Sequence, residues 1–466
     1  MMNSGNGHHP TLVACSRAVE HESLLTFLRA HAGQPRLFWQ RGQYATAYAG
    51  AGVAAQISAA GAERFSTIRD CIGDLFAGMH HDTDAPASVR PRLFGGFSFN
   101  DTLSDEPLWQ PFGAAQFILP RLMITRMGGY SWLTVCDYGV GDVTERVARL
   151  REMWGSKYGV WAERILPQTA HPATGAGRPL PLQDDASRGE VIDLPTWRAM
   201  LRSGIDMIRD GALRKIVLAR AVDAELDAPV DPLQALETLE KNYPTAWRFL
   251  FEPTPDAVFF GATPELLVRL EEGTLHTHAL AGSTPRGASP GDDDRLAAAL
   301  LASAKDRHEH ALVVDWLRDS LTPISRTVEA APTPTVVKLK NIQHLFTPVS
   351  AQLRERSSVL SIVQRLHPTP ALGGSPQTAA QAAIAQIEPM ERGWYGAPVG
   401  WVDAAGDGEF AVAIRSAVAA DTHLRFYAGA GIVADSEPDK EWDETALKFK
   451  PMMEVTGIQY DLRPQP

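Results

Sequence analysis

Leu266-Leu-Val-Arg-Leu-Glu-Glu-Gly-Thr-Leu-His-Thr-His-Ala-Leu280 sets two apolar runs on either side of the turn Glu271-Glu-Gly-Thr274. Two strand-like runs joined by a short glycine-containing turn read as a β-hairpin, the unit of an antiparallel sheet. Arg214-Lys-Ile-Val-Leu-Ala-Arg220 and Ala257-Val-Phe-Phe-Gly261 are further β-rich runs just upstream. Downstream the pattern changes. Asp292-Asp-Asp294 puts negative charge where a helix should begin, and Arg295 to Leu321 carries apolar residues at helical spacing. Strands in hairpins followed by separate helices predict a mixed α+β architecture rather than a repeating βαβ barrel.

Toward the N-terminus, residues 11–165 mix short apolar runs with turns, as in Arg92-Leu-Phe-Gly-Gly-Phe-Ser-Phe99 and Tyr130-Ser-Trp-Leu-Thr-Val-Cys136, and read as a β-rich part. Residues 166–185 are rich in Pro, Gly and Ala without a period and read as a surface connection to the motif-dense part, 186–466. Residues 1–10 are polar and expected to be disordered. No internal repeat stands out. With 466 residues, 44% of them hydrophobic and 11 Trp and 17 Phe among them, the chain can bury a large core without cross-links. Its three cysteines, Cys15, Cys71 and Cys136, have no ligand-like spacing, so neither a disulfide framework nor a zinc site is indicated, and a reducing cytoplasm fits. A net charge of −11 disfavours DNA or RNA as a partner but not small anions. No apolar stretch is long enough to span a membrane, and the start is not a signal peptide.

Charged residues are informative where the pattern says core. Lys215 opens a strand and shares its side with Val217, Ala219 and Ala221; otherwise it is a strand-end lysine reaching water. Glu265 sits in the tight break Gly261-Ala-Thr-Pro-Glu-Leu-Leu267, where loops held by strands often carry active groups; the alternative is a solvated turn glutamate. Glu309 lies on the helical face that continues through Val313, Trp316 and Leu317, or else forms a surface pair with Lys305. In Ser436-Glu-Pro-Asp-Lys-Glu-Trp-Asp-Glu-Thr-Ala-Leu-Lys448, Ser436 is read as an N-cap and Glu441, Glu444 and Lys448 project from one face. The preceding Tyr427-Ala-Gly-Ala-Gly-Ile-Val433 lets backbone approach a ligand, which favours a site over a solvated charged face. Three glutamates, Glu309, Glu441 and Glu444, suggest a hard-cation site that suits magnesium. Arg415, Tyr427 and Lys448 could receive a carboxylate, unless Arg415 is a structural ion pair. The residues alone therefore read as a magnesium-dependent enzyme acting on a small carboxylic acid, with a lysine and a glutamate left as candidate base and acid.

From about Ile192 to Gly457 these segments resemble, in this order, the chorismate-binding family, which includes isochorismate, salicylate, anthranilate and aminodeoxychorismate synthases. The resemblance rests on Lys215-Ile-Val-Leu-Ala-Arg220, Gly261-Ala-Thr-Pro-Glu265, Ala279-Leu-Ala-Gly-Ser-Thr284, Ser303-Ala-Lys-Asp-Arg-His-Glu309, Asn341-Ile-Gln-His344, Ala428-Gly-Ala-Gly-Ile432 and Glu441-Trp-Asp-Glu-Thr445. Before residue 165 only Phe94-Gly-Gly-Phe97 is similar. Leu366-His-Pro-Thr-Pro-Ala-Leu-Gly-Gly-Ser-Pro376 resembles the isochorismate synthase form, and Ala281 stands where aminodeoxychorismate synthases typically carry a lysine. The resemblance implies an α+β fold of two packed antiparallel sheets with outer helices, the N-terminal and catalytic parts forming one domain. It implies addition of water at C2 of chorismate with loss of the C4 hydroxyl. Lys215 would be the base, kept partly neutral by an apolar strand environment, and Glu265 the acid, its carboxyl protonated through burial. Magnesium on Glu309, Glu441 and Glu444 would neutralise the ring carboxylate. Arg415, Tyr427 and the N–H groups of Gly429 and Gly431 would hold the enolpyruvyl carboxylate, with Lys448, His344, Gly282, Ser283 and Thr369 also at the substrate. Ser283 replaces the family's usual Thr. His344 and His367 could equally be satisfied core histidines. A salicylate synthase, which would also release pyruvate, and a non-catalytic chorismate-binding protein are the competing readings. A monomer is expected.

Overall fold

The computed structural model describes residues 10–20, 23–42, 46–155 and 188–458. The expected connection, 166–185, and all of the polar start except Pro10 lie outside them. Among the described residues, two large sheets of thirteen and ten strands carry the fold, and helices lie on their outer faces. The first sheet runs from Arg188–Glu190 through Lys215–Glu225, His423–Ile432, Ser416–Ala420, Ala257–Thr263 and Trp247–Thr254, and continues into Arg36–Arg41 and the other N-terminal strands. The second runs from Ser325–Ala330 through Ile342–Leu353, Thr274–Pro285, Leu266–Glu271, Gly408–Val412 and Pro398–Asp403, and continues into Arg92–Phe97. Both seams are antiparallel ladders, with Phe249 opposite Trp39 in one and Gly400 opposite Gly95 in the other. The described strand pairs are antiparallel except Thr11–Val19 with His80–Thr83.

The deciding hairpin forms as expected. Arg269 pairs with His276, Leu270 with Leu275 and Glu271 with Thr274. The two residues left to turn, Glu272 and Gly273, have φ of 50° and 81°, the sign a two-residue type I′ turn requires. Aromatic rings fill the space between the sheets: Trp109, Phe112, Phe249, Phe251, Phe259 and Trp394 form one buried cluster.

Two helical expectations need correction. The helical pattern over Arg295 to Leu321 spans two helices, the end of Pro290–Ala302 and all of Ala304–Leu321. The extended backbone of Ser303 breaks them apart, and its hydroxyl caps the second by accepting from the Asp306 N–H at 3.2 Å. The last helix spans Pro438–Thr456 and is capped by Glu437, not Ser436. The Ser436 hydroxyl instead accepts from the Val433 N–H at 3.2 Å, closing the turn that leads into the helix. No described helix is long and apolar enough to cross a membrane.

Candidate active site

Strand ends from both sheets, the helix Ala304–Leu321 and the first turns of the last helix enclose one cavity. Lys215 opens its strand and is not itself on the cavity wall; it lies against Glu309, which is. The side chain is 1% exposed, and its Nζ lies 2.8 Å from Glu309 Oε1, so this is not a strand-end lysine reaching water, and its surroundings include a carboxylate as well as apolar strand. Glu309 therefore does not pair with Lys305 along its own helix; Lys305 Nζ stands 3.5 Å from Glu441. Gly431 makes room for the buried pair. It lies opposite Val217 in the neighbouring strand, and a Cβ there would meet Glu309 Oε1 at 2.7 Å and Lys215 Cε at 3.0 Å.

Glu265 follows the strand Ala257–Thr263 and is fixed by its backbone, its N–H donating to Thr263 Oγ1 at 3.1 Å and its carbonyl accepting from the Val412 N–H at 3.0 Å. The residue is 6% exposed. Burial pushes its carboxyl up to about 8 against the opposing pull of Lys215, Lys448 and Arg415, so it holds its proton at neutral pH. This is no solvated turn glutamate.

Arg415 has φ of 52°, a strained backbone for a non-glycine residue, and its carbonyl is held by the Ala262 N–H at 3.0 Å. The residue is 8% exposed, and its guanidinium makes no hydrogen bond or ion pair among the described residues. Burial lowers its pKa, against the pull of tyrosines and glutamates nearby. The structural ion pair that would have explained it is not there.

The last helix contributes Glu441, Glu444 and Lys448, turned inward rather than to solvent. Lys448 Nζ lies 2.7 Å from Glu444 Oε1 and donates to the Gly429 carbonyl at 2.7 Å. Ser283 Oγ donates to the same Glu444 oxygen at 3.4 Å. Burial and the neighbouring Glu444 charge raise the Glu441 carboxyl. Burial also lifts Glu444, but Lys448 outweighs it and holds that carboxyl below its ordinary range. His344 lines the cavity, and burial, Arg415 and Lys448 push it down to about 3, so it is neutral. Its ring donates to the Gly282 carbonyl, while Nε2 is buried without a partner among the described residues. Gly282 has φ of 78°, and a Cβ there would meet Asp306 Cβ at 3.1 Å. His367 is elsewhere, with Nε2 3.4 Å from the Phe99 carbonyl, and is the core histidine of the two.

Two expected substrate residues sit differently. Tyr427 lines the cavity, but its hydroxyl accepts from Trp109 Nε1 at 2.9 Å and donates to the Glu391 carbonyl at 3.1 Å, so it is committed within the fold. The hydroxyl left without a hydrogen bond among the described residues is that of Tyr395, stacked on Tyr427 at 5.0 Å between ring centroids. Thr369 is not on the cavity wall; Ala371 and Leu372, just after it, are. Its carbonyl accepts from the N–H groups of Leu372 and Gly373 at 3.0 and 2.8 Å, which shapes that turn. Sequence reasoning missed Tyr395, Lys305 and Asp306 as cavity residues. The one available signal for Tyr395 was an aromatic pair between glycines, Gly393-Trp-Tyr-Gly396.

Among the described residues no three His, Cys, Asp or Glu side chains gather closely enough to form a ready metal site. The chemistry of the donors still suits a hard cation. Glu309, Glu441, Glu444 and Asp306 face one cavity, all offering oxygen. Burial first and the Glu444 charge second raise the Glu441 carboxyl, and its partner Lys305 is 47% exposed on the rim.

Comparison with known proteins gives a consistent result. The family model described as chorismate binding enzyme matches residues 2–457. The isochorismate synthase MenF of Bacillus subtilis is 34% identical over 97% of this chain and 94% of its own length. The salicylate biosynthesis isochorismate synthase of Pseudomonas aeruginosa is 36% identical over 96% of this chain and 90% of its own. The structure of MenF, the menaquinone-specific isochorismate synthase of Escherichia coli, superimposes with a TM-score of 0.77 at 23% identity, covering 96% of this chain and 95% of that one.

Proposed function

This chain belongs to the chorismate binding enzyme family and is an isochorismate synthase, and we propose that it works with Lys215 as base and Glu265 as acid. Chorismate is converted to isochorismate by water entering at C2 as the C4 hydroxyl leaves. Lys215, in its neutral form, takes a proton from the attacking water as oxygen bonds to C2. The ring electrons shift, the C4–O bond breaks, and Glu265 gives its proton to the departing hydroxyl, which leaves as water. The observation that carries this reading is Glu265 itself. A carboxyl pushed up to about 8 by burial is a donor at neutral pH, and it shares one cavity with an unpaired guanidinium.

Arg415 and the Tyr395 hydroxyl receive the enolpyruvyl carboxylate, a charge-assisted contact made by a buried guanidinium. Glu309 Oε1, at 2.8 Å, orients the Lys215 ammonium or amine toward the water. Magnesium, when bound, would supply positive charge against the ring carboxylate, and Glu309, Glu441 and Glu444 would hold it. The reducing cytoplasm is its place of work, a reading supported by three free cysteines, and a monomer is the default working form.

The test is incubation of the purified protein with chorismate and magnesium and chromatography of the products, with Lys215→Ala and EDTA controls. Enzyme-dependent isochorismate, lost in both controls, is expected. Stoichiometric salicylate and pyruvate would move the assignment to the lyase reaction, and unchanged chorismate would sink it.

A further inference from the structure

The strand that carries Lys215 is paired continuously along one side and only at its ends along the other. From Ile216 to Glu225 it forms a continuous antiparallel ladder with His423–Ile432. On its other side Gly374–Ser375 covers Lys215 and Ile216, and Arg188–Glu190 covers Val222 to Ala224. Among the described residues the stretch between has no partner strand, although a buried N–H or C=O left alone there would be costly. Single contacts fill the two ends of the gap. The Val217 N–H donates to the Gly373 carbonyl at 2.9 Å, and the Ala221 carbonyl accepts from the Val191 N–H at 3.2 Å.

An ion pair fills the middle. The Ala219 N–H donates to Glu388 Oε1 at 2.7 Å, and the Val217 carbonyl accepts from Arg392 Nη2 at 2.8 Å. The two side chains are each 2% exposed and joined by a fork, with Arg392 Nε to Glu388 Oε2 at 2.8 Å and Nη2 to Oε1 at 2.5 Å. Arg392 Nη1 also donates to the Leu372 carbonyl at 3.1 Å, and the Arg392 carbonyl accepts from the Tyr395 N–H at 3.0 Å. Val217, Leu372 and Tyr395 all line the active cavity, and they come from three separate segments.

We infer that Glu388 and Arg392 are positioning residues for the reaction: their ion pair substitutes for the missing strand beside Lys215 and locks the base strand, the Leu372 turn and Tyr395 into one rigid wall. The inference rests on the proposed roles of Lys215 and Tyr395 and extends them. Neither Glu388 nor Arg392 lines the cavity, so they act through what they hold. Lys215 lies two residues before Val217 on the same side of the strand, so slack at the Val217 carbonyl moves Nζ relative to the substrate. A displacement of about 1 Å at a reacting group slows turnover by about 100-fold. Binding of the enolpyruvyl carboxylate rests mainly on Arg415, which lies between the strands Gly408–Val412 and Ser416–Ala420 and outside this wall, and should be less sensitive.

The experiment compares kcat and KM for isochorismate formation, with melting temperature, in Glu388→Gln, Arg392→Gln and Arg392→Lys, assayed well below each midpoint. Glu388→Gln keeps an acceptor for Ala219 but breaks the charged fork. It is expected to lower kcat by about 10- to 100-fold while KM stays within about threefold. Arg392→Lys, which keeps a cation near Glu388, should retain more of kcat than Arg392→Gln. If Glu388→Gln does not fold, Glu388→Asp, with the charge kept and the reach shortened, carries the same expectation for kcat. A folded variant with a lower melting temperature but native kcat makes the pair merely structural and overturns the inference, as does a raised KM at native kcat. A native enzyme that makes no isochorismate removes the functional reading and this inference with it, whereas native product with unaffected variants removes the inference alone.

Discussion

Replacing Glu265 by glutamine should abolish turnover and yet stabilise the fold, increasingly so as the pH rises. Burial pushes this carboxyl up to about 8 in the folded protein, against 4.5 for the free side chain. Between those values the unfolded chain releases a proton that the folded protein keeps. The stability associated with the group is therefore complete below about pH 4.5 and drains away as pH climbs toward 8. At about pH 7.5 the loss comes to about 4 kcal/mol, at about 1.4 kcal/mol for each pH interval of one, and at about pH 5 it is below about 1 kcal/mol. The amide of Glu265→Gln fills the same space and does not titrate. Urea unfolding of native and variant protein, paired at each pH, cancels every other titrating group and leaves this one. The variant's advantage should grow from under about 1 to about 4 kcal/mol across that range, while isochorismate formation falls by at least about 100-fold for want of a proton donor. The native enzyme's own kcat should decline above about pH 8, where Glu265 ionises. A stability difference that stays flat from pH 5 to 7.5 would mean that Glu265 titrates normally, and the assignment of the acid would fall with it.

The swapped roles of the stacked tyrosines separate cleanly: Tyr395→Phe should raise KM by about 10-fold without lowering the melting temperature. Tyr427→Phe should destabilise by about 1–2 kcal/mol, because it strips the partner from Trp109 Nε1, and leave KM nearly native in the same steady-state assay. Gly431→Ala pushes a methyl into Glu309 Oε1 at 2.7 Å, the movable end of a side chain, so kcat should drop by about 100-fold with little change in thermal midpoint. Arg415→Gln should raise KM for chorismate by about 10- to 100-fold, the value of one charge-assisted contact, as read from initial rates. Chelation should remove activity and added magnesium restore it, and calorimetry should show weaker magnesium binding to Glu441→Gln than to the native protein; equal binding would discard Glu441 as a ligand.

Local rules read the fold well where the chain folds on its neighbours. The hairpin at Glu272-Gly273, the strand opening at Lys215 and the pair Glu444 to Lys448 all involve residues within a few positions of each other, and all are present. The same rules failed at non-local contacts. Lys305 and Glu309 have the right helical spacing for each other, but the end of the base strand delivers Lys215 to Glu309 and the last helix delivers Glu441 to Lys305. Helical periodicity passed over the break at Ser303 because a single extended residue hardly disturbs the apolar pattern on either side. Tyr427 was the more obvious of the two tyrosines in sequence, sitting in the glycine-rich run. Which ring offers a free hydroxyl was decided by Trp109, more than three hundred residues away, which no spacing rule reaches.

Charge accounting within the cavity shows why these residues belong together. Each glutamate proposed for magnesium has a lysine: Glu309 with Lys215, Glu441 with Lys305 and Glu444 with Lys448. Asp306 is bonded to the Ser303 hydroxyl within its own helix turn, and two groups remain outside these pairings, Arg415 with its bare guanidinium and Glu265, which stays neutral. A buried cation without a counter-ion destabilises a fold by several kcal/mol, and a strained φ of 52° at the same residue adds to that. Packing and stability alone would have selected a neighbouring carboxylate for Arg415, and Glu265 stands close enough to feel its charge yet is held protonated by burial. The fold thus withholds the partner it could have supplied. A substrate that brings its own carboxylate compensates Arg415 and leaves the Glu265 proton free for a departing hydroxyl, so the unsatisfied cation and the retained proton are two consequences of one arrangement.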